Sequence, residues 1–500
     1  MKKLMTLALA AAMMLGAATG ANAIDFKAKG QWIMSFDYGM HGNFGESKAK
    51  NNSGFKNEDE FEARQRVRLQ LDAVASEALS GTVFFEIGDQ VWGDNDNGGA
   101  LGADGKVVEL KRAYIDWMVP QTDLKVRMGI QGIALPSFTT NASQIMDDDV
   151  AAISLNYQFN ENVGLTAFWA RPYNDNGGYS SRWDTDYDKN YMDNMDMFAV
   201  LLPLTFDGVK VTPWVMYAAM GPGMFDNFEK APGNAWGRAS AGMISGFKGT
   251  DWNDSYGNAF WAGVTGEVTY WDPFRIAWDV NYGSASYEDQ KMNREGWLAS
   301  LLLEYKLDWG TPGLYGWYST GDDNNPRNGS ERMPVVSANG NNQFSNFAFN
   351  GNPYIAREGV LGSTMVGTWG IGARLKDVSF LEDLKHTLRV NFMGGTNAPK
   401  MAKYVSDYAP FEKRGVKAVD EGSFSYDPMY LTTDDYALEI GLTNTYKMYD
   451  NFTVMLDAAY VALWLDDSTS TWGKNPGRSA LGGDGVYDAW NVNLSFVYSF

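Results

Sequence analysis

The chain contains no cysteine and only two histidines, His41 and His386, in 500 residues. Without thiols there is no disulfide framework and no thiolate metal site. Two histidines leave a serine–histidine–carboxylate relay almost no material. Neither HExxH, GxSxG nor a phosphate-cradling glycine loop occurs. His41 falls in a polar stretch and His386 opens a strand-like one, ordinary surface positions for both. No catalytic residue, cofactor or metal is therefore expected. Basic residues are also in deficit, 41 against 61 acids, which argues against nucleic acid or an anionic surface as the main partner. After the first two dozen residues no apolar run approaches the roughly 20 residues a membrane helix needs. No Pro- or Ser-rich linker divides the chain.

What is present begins with a leader-like head. Lys2 and Lys3 precede an apolar run from Leu4 to Ala18, and Ala21-Asn22-Ala23 matches a small-x-small cleavage site. That pattern predicts a signal peptide over 1–23 and a single exported domain over 24–500. Loss of its two lysines would leave 39 cations against 61 acids.

The rest alternates. In Asp25–Tyr38, Phe26, Ala28, Gly30, Trp32, Met34, Phe36 and Tyr38 share one side. Lys27, Lys29, Gln31, Ser35 and Asp37 share the other, with Ile33 the exception. Period two means a strand with one apolar and one polar face. The signature returns at 61–73, 124–131, 153–159, 260–270, 297–307, 436–446 and 452–464, and more weakly at nine other places, 195–206 and 313–319 among them. Short polar connections alternate with long ones rich in Gly, Asn and Asp. A soluble, secreted carbohydrate-binding β protein is the competing reading, but soluble strands typically run about 5 to 6 residues. Many here exceed ten, as a tilted membrane strand requires, and aromatics cluster near strand ends. The expectation is an all-β, antiparallel up-and-down transmembrane barrel of about 16 to 18 strands.

The terminal WNVNLSFVYSF fits that reading. Trp490, Val492, Leu494, Phe496, Tyr498 and Phe500 form its apolar side. A closed barrel has no free edge, so this strand must pair with Ile24–Tyr38. The stretch also resembles the final strand that the assembly machinery reads in outer-membrane barrels, which implies that Trp490, Phe496, Tyr498 and Phe500 serve as closure and assembly signal.

IDFKAKGQWIMSFDYG, FEARQRVRLQLDAVAS, and VELKRAYIDW followed by LKVRMGIQGIALPSF resemble the homotrimeric outer-membrane porin family of Desulfovibrio-type bacteria. The resemblance implies a passive, water-filled channel for small hydrophilic solutes in a Gram-negative outer membrane. It implies a homotrimer without cofactor, in contact with lipid, lipopolysaccharide and the barrel assembly machinery. A substrate-specific, sugar-type channel is the alternative, because Phe84, Phe168, Trp214, Trp261, Trp278 and Trp317 fall by alternation on the inward face.

Charge patterning names the candidate site. Arg64, Arg66 and Arg68 share a polar face with Glu62, and Arg112, Lys125 and Arg127 stand on polar faces nearby. The third outer connection, 131–149, carries Asp147, Asp148 and Asp149. In porins of this type the third loop folds inward, so these acids are expected to face the six cations across the waist, with a mild anion preference. The competing expectation is that the arginines pair with Glu62, Glu86, Glu109 and Asp116 to neutralise the wall. DNDNGGALGADG at 94–105 lacks the acidic twelfth residue of a calcium loop, where Gly105 stands, and reads as solvated.

Overall fold

A computed structural model describes residues 24–40, 44, 60–95, 98–102, 105, 108–174, 194–221, 242–247, 256–338, 342–354, 359–405, 429–476, 481 and 485–500. The leader over 1–23 and His41 lie outside them.

Eighteen antiparallel strands close into a barrel. They are β1 Asp25–Met40, β2 Glu60–Ser76, β3 Leu79–Val91, β4 Glu109–Met118, β5 Lys125–Ala134 and β6 Met146–Gln158. Next come β7 Gly164–Asn174, β8 Asn194–Leu201 resuming as Leu204–Phe206, β9 Val209–Met220, β10 Gly257–Val268, β11 Phe274–Tyr287 and β12 Arg294–Tyr305. The set ends with β13 Thr311–Ser319, β14 Thr368–Leu381, β15 Leu384–Gly395, β16 Tyr436–Tyr449, β17 Phe452–Trp464 and β18 Ala489–Ser499. β8 breaks at Pro203, which has no N–H to give the ladder. That break accounts for the poor alternation over 195–206.

Each strand pairs with the next, and β18 pairs with β1 from Gln31↔Ser499 to Met40↔Trp490. The last bonds are reciprocal: Gly30 N–H donates to Phe500 O at 2.8 Å and Phe500 N–H to Gly30 O at 3.0 Å. Gly30 has to be glycine here, because the Phe500 ring lies where its Cβ would stand. The apolar chain end thus completes the cylinder, as expected.

Outward side chains such as Trp32, Phe198, Val215, Leu301, Ile371 and Leu456 are exposed, which in lipid leaves them in contact with hydrocarbon. Short turns such as 77–78, 207–208 and 382–383 close one end. The described parts of the longer connections lie at the other, and among them 135–145 and much of 320–367 turn inward. Residues 135–145 cross to β11 and β12; residues 320–338, 342–354 and 359–367 reach β6, β15, β16, β17, β1 and β18. A two-residue parallel pairing, Ser337–Ala338 on Met146–Asp147, stitches the second to β6. The exception noted in β1 then has a cause: Ile33 and its partner Val497 point inward and are buried against Tyr354 of the inward segment.

Candidate functional site

The inward face of β2 carries Arg64, Arg66 and Arg68, two residues and so about 6.6 Å apart along the strand. None stands alone. Arg64 contacts Glu62. Arg66 meets Asp89 through two bonds of 2.6 Å. Arg68 donates to Glu86 at 2.6 Å. On β4, Arg112 reaches Asp149 at 2.5 Å, and Lys111 sits 3.0 Å from the same carboxylate and 3.8 Å from Glu86. On β5, Arg127 and Lys125 share Asp116 at 2.6 and 3.1 Å. Seven cations therefore share five carboxylates. The expected pairs with Glu62, Glu86 and Asp116 form, and Asp89 and Asp149 join them.

These pairs are half-buried, so their charge-assisted bonds are stronger than those of surface pairs. Aromatic rings support the wall from the same side. The Arg127 guanidinium lies 4.0 Å over Tyr114, and that of Arg112 lies 5.6 Å from Phe84.

The acidic triad is placed differently from the expectation. Asp147, Asp148 and Asp149 belong to strand β6, not to a loop, and pair in register with Ala134, Ile133 and Gly132 of β5. The hairpin continues because its outer end turns inward, so neither face there has to meet lipid. One face, with Ile133, Leu135 and Met146, is buried in the interior core beside Val335 and Val336. The opposite face presents Asp147 and Asp149 towards the β3–β4 wall, where Arg112 and Lys111 take Asp149. Asp148, on the first face, accepts from Ser337 at 2.7 Å. Gly132 permits the close approach: a Cβ there would lie 2.9 Å from Arg112 Nη2.

The connection beyond, 135–145, is held on the far wall by one carboxylate. Asp279 of β11 accepts from Ser137 Oγ at 2.7 Å and from the backbone of Phe138 and Thr139 at 2.9 and 3.1 Å. The tip of the other inward segment has a matching anchor. Glu439 of β16 accepts from Asn346, Phe347 and Ala348 N–H at 2.9, 2.6 and 3.0 Å, and from Asn391 at 2.8 Å. The two tips touch through Gln343 N–H and Thr140 O at 3.1 Å.

Below them lies a second charged cluster that sequence reasoning missed. Glu304 accepts from Arg275, Arg374 and Lys376 at 2.8, 2.9 and 3.0 Å. Arg275 also caps Phe138 O, and Arg374 and Arg389 cap Gln343 O. The inward tips thus rest on cations of the far wall. These residues come from β11, β12, β14 and β15, and only barrel register brings them together.

The aromatic track is largely inward and largely covered. Phe168, Trp214, Trp261 and Trp317 are buried in the interior core, while Phe84 stays on the charged wall. Trp278 is outward, against the expectation. It lies over Gly266 on the outer surface, and Arg275 and Asp279 take the inward positions of β11. His386 makes a 2.6 Å bond with Asn444. Among the described residues no group of three potential ligands could hold a metal.

Comparison with known proteins gives the fold. No protein family and no curated protein matches the sequence. Among solved structures, OpdQ of Pseudomonas aeruginosa is similar at 11% identity and a TM-score of 0.50, over 96% of this chain and 99% of that one. OpdO of the same organism gives 11% and 0.51, over 95% and 97%. A BenF-like porin from Pseudomonas fluorescens Pf-5 gives 9% and 0.53, over 95% and 98%. The similarity spans the whole barrel.

Proposed function

We propose that the protein is a passive channel in the outer membrane of a Gram-negative bacterium, passing small polar solutes along the charged wall of β2–β5. The observation that carries this is the opposition of Arg112 and Lys111 on the wall to Asp149 on the inward-turned hairpin. Closely paired charges of both signs along the wall of a water-filled passage create strong local fields that order water and slow apolar solutes. Polar solutes exchange hydration for the wall charges and pass. Since the cations are nearly matched by carboxylates, the wall's net field is small and the anion preference mild.

Selective passage is favoured over unselective sieving. Two inward segments meeting at Gln343 and Thr140, and filling the β6–β17 side with packed side chains, confine solutes to one charged strip. The same reading takes the assembly to be a homotrimer in contact with lipid and lipopolysaccharide. The outward ring residues Trp490, Phe496, Tyr498 and Phe500 then serve the assembly machinery; no cofactor takes part. The resemblance to Desulfovibrio-type porins and the likeness to a BenF-like porin both support a channel.

The test is a planar-bilayer recording with salts, sugars and small organic anions. Discrete conductance steps that saturate with one solute class are expected. Impermeable liposomes and material soluble without detergent would end the reading. Unheated gels should show a heat-modifiable trimer; a monomer there removes only the assembly claim.

A further inference from the structure

The outer ends of β11 and β12 carry a feature that the channel does not use. On their outward face Tyr282 stands opposite Trp297, and Ser284 opposite Glu295. After β13 the chain passes Thr320, whose N–H donates to Trp297 O at 3.0 Å, and then returns. Ser330 takes up strand-like bonding to β12, with Glu295 N–H to Ser330 O and Ser330 N–H to Asn293 O both at 2.8 Å. Strand ends and returning segment enclose a cleft of about 330 Å³. That is within the range of small-ligand sites, roughly 300–1,000 Å³.

The lining has a definite chemistry. Glu295, Glu331, Asn328, Asn293 and Ser284 supply polar groups, Trp297 supplies an indole, and among the described residues no Lys or Arg lines the cleft. Two carboxylates without a cation repel phosphates and carboxylates, so an anionic headgroup is excluded. Carboxylates accept but do not donate, so the ligand must bring O–H or N–H donors. A half-exposed indole adds a flat apolar platform. The site is also held in shape. Tyr282 O–H donates to Glu295 at 2.6 Å, and its ring lies 4.8 Å from that of Trp297. Glu331 accepts from Asp323 N–H at 2.8 Å and Asn328 Nδ2 at 3.0 Å.

We propose that this cleft binds a neutral saccharide ring, stacked on Trp297 with its hydroxyls donating to Glu295 and Glu331. The Tyr282–Trp297 pair marks the aromatic belt, so the cleft lies where the outer leaflet's polar layer begins. The sugar is then borne either by a membrane glycolipid or free in the medium.

The experiment uses the full-length barrel in detergent, with binding read by native mass spectrometry and calorimetry. Probes are lipopolysaccharide with a complete hexose core, lipopolysaccharide truncated before the hexoses, free maltotriose, and calcium alone. The parent is expected to bind the complete-core form more tightly than the truncated form, or to bind maltotriose; the first outcome identifies a lipid-borne sugar and the second a free one. Trp297→Ala and Asn328→Ala should each weaken that binding about tenfold and leave single-channel conductance unchanged, because neither side chain faces the lumen. Asn328 lies in an exposed connection, so its variant reports even if loss of Trp297 disturbs insertion. Equal binding of every probe by parent and variants, binding of calcium alone, or a sugar affinity that changes only together with conductance would overturn the proposal.

Discussion

Phe84 and Trp261 both face the lumen from the middle of a strand, yet their surroundings have little in common. Phe84 lies on an open wall beneath the Arg112 guanidinium. Trp261 is fully buried, and its indole N–H donates to Pro334 O at 2.9 Å. The difference lies in coverage, not in the strands. Where 135–145 and the described parts of 320–367 fold over β6–β17, Met, Ala, Trp and Leu pack as in a soluble core, and the charges among them, Asp279, Glu304, Arg374 and Glu439, are buried against the inward tips. On β2–β5, which the inward-turned β5–β6 hairpin meets at Arg112 and Lys111, inward residues are charged, paired and half-buried. One barrel thus holds a stabilising half and a conducting half, and a residue's task follows from which half it faces.

The largest expected effect tests the stabilising half. Trp261→Ala removes a buried indole and should cost about 3–5 kcal/mol, read as a lower midpoint for loss of the unheated gel form. Ion selectivity should not change; if it does, the halves are not separable. Next is the Arg64→Gln, Arg66→Gln, Arg68→Gln triple variant. It removes the arginine partners of Glu62, Asp89 and Glu86, so the permeability ratio should move towards cations by about fivefold. An unchanged ratio and conductance would remove this ladder from permeation.

Two smaller effects sharpen the division. Glu439→Gln replaces a carboxylate that gathers three consecutive backbone N–H groups. The tip it holds should loosen, raising conductance about twofold with added current noise; a quiet, parental trace would mean that the packing alone suffices. Asp149→Asn takes the shared carboxylate from Arg112 and Lys111 and should shift selectivity towards anions, opposite in sign to the triple variant and about twofold. Reversal potentials in a salt gradient decide the sign.

Much of this plan was legible in the sequence because hydrocarbon and water sort alternate side chains. Strands β1, β2 and β18, their closure and the cationic ladder all follow from period two. Ile33 was visible as an exception, but its reason, Tyr354, lies some three hundred residues away. The Asp147–Asp149 run looked like a loop because three adjacent acids break alternation. They remain a strand because the hairpin has left the wall, and its two faces meet core and charge in place of lipid and water. Trp278 lies one residue out of phase with the inward reading, and the phase set by Arg275 and Asp279 turns it outward. The Glu304 cluster gave no local signal, since its members are single charges on four strands joined only by register.

The returning segment at the rim also has a mechanical consequence. Glu331 and Ser337 are six residues apart; the first lies at the outer margin and the second is bonded to Asp148, beside the waist. Nothing slack separates them, since Pro334 and Val335 are clamped to Trp261 and Gly242. A tug at the cell surface would therefore travel along this short tether to the narrowest point without any strand of the cylinder having to shift.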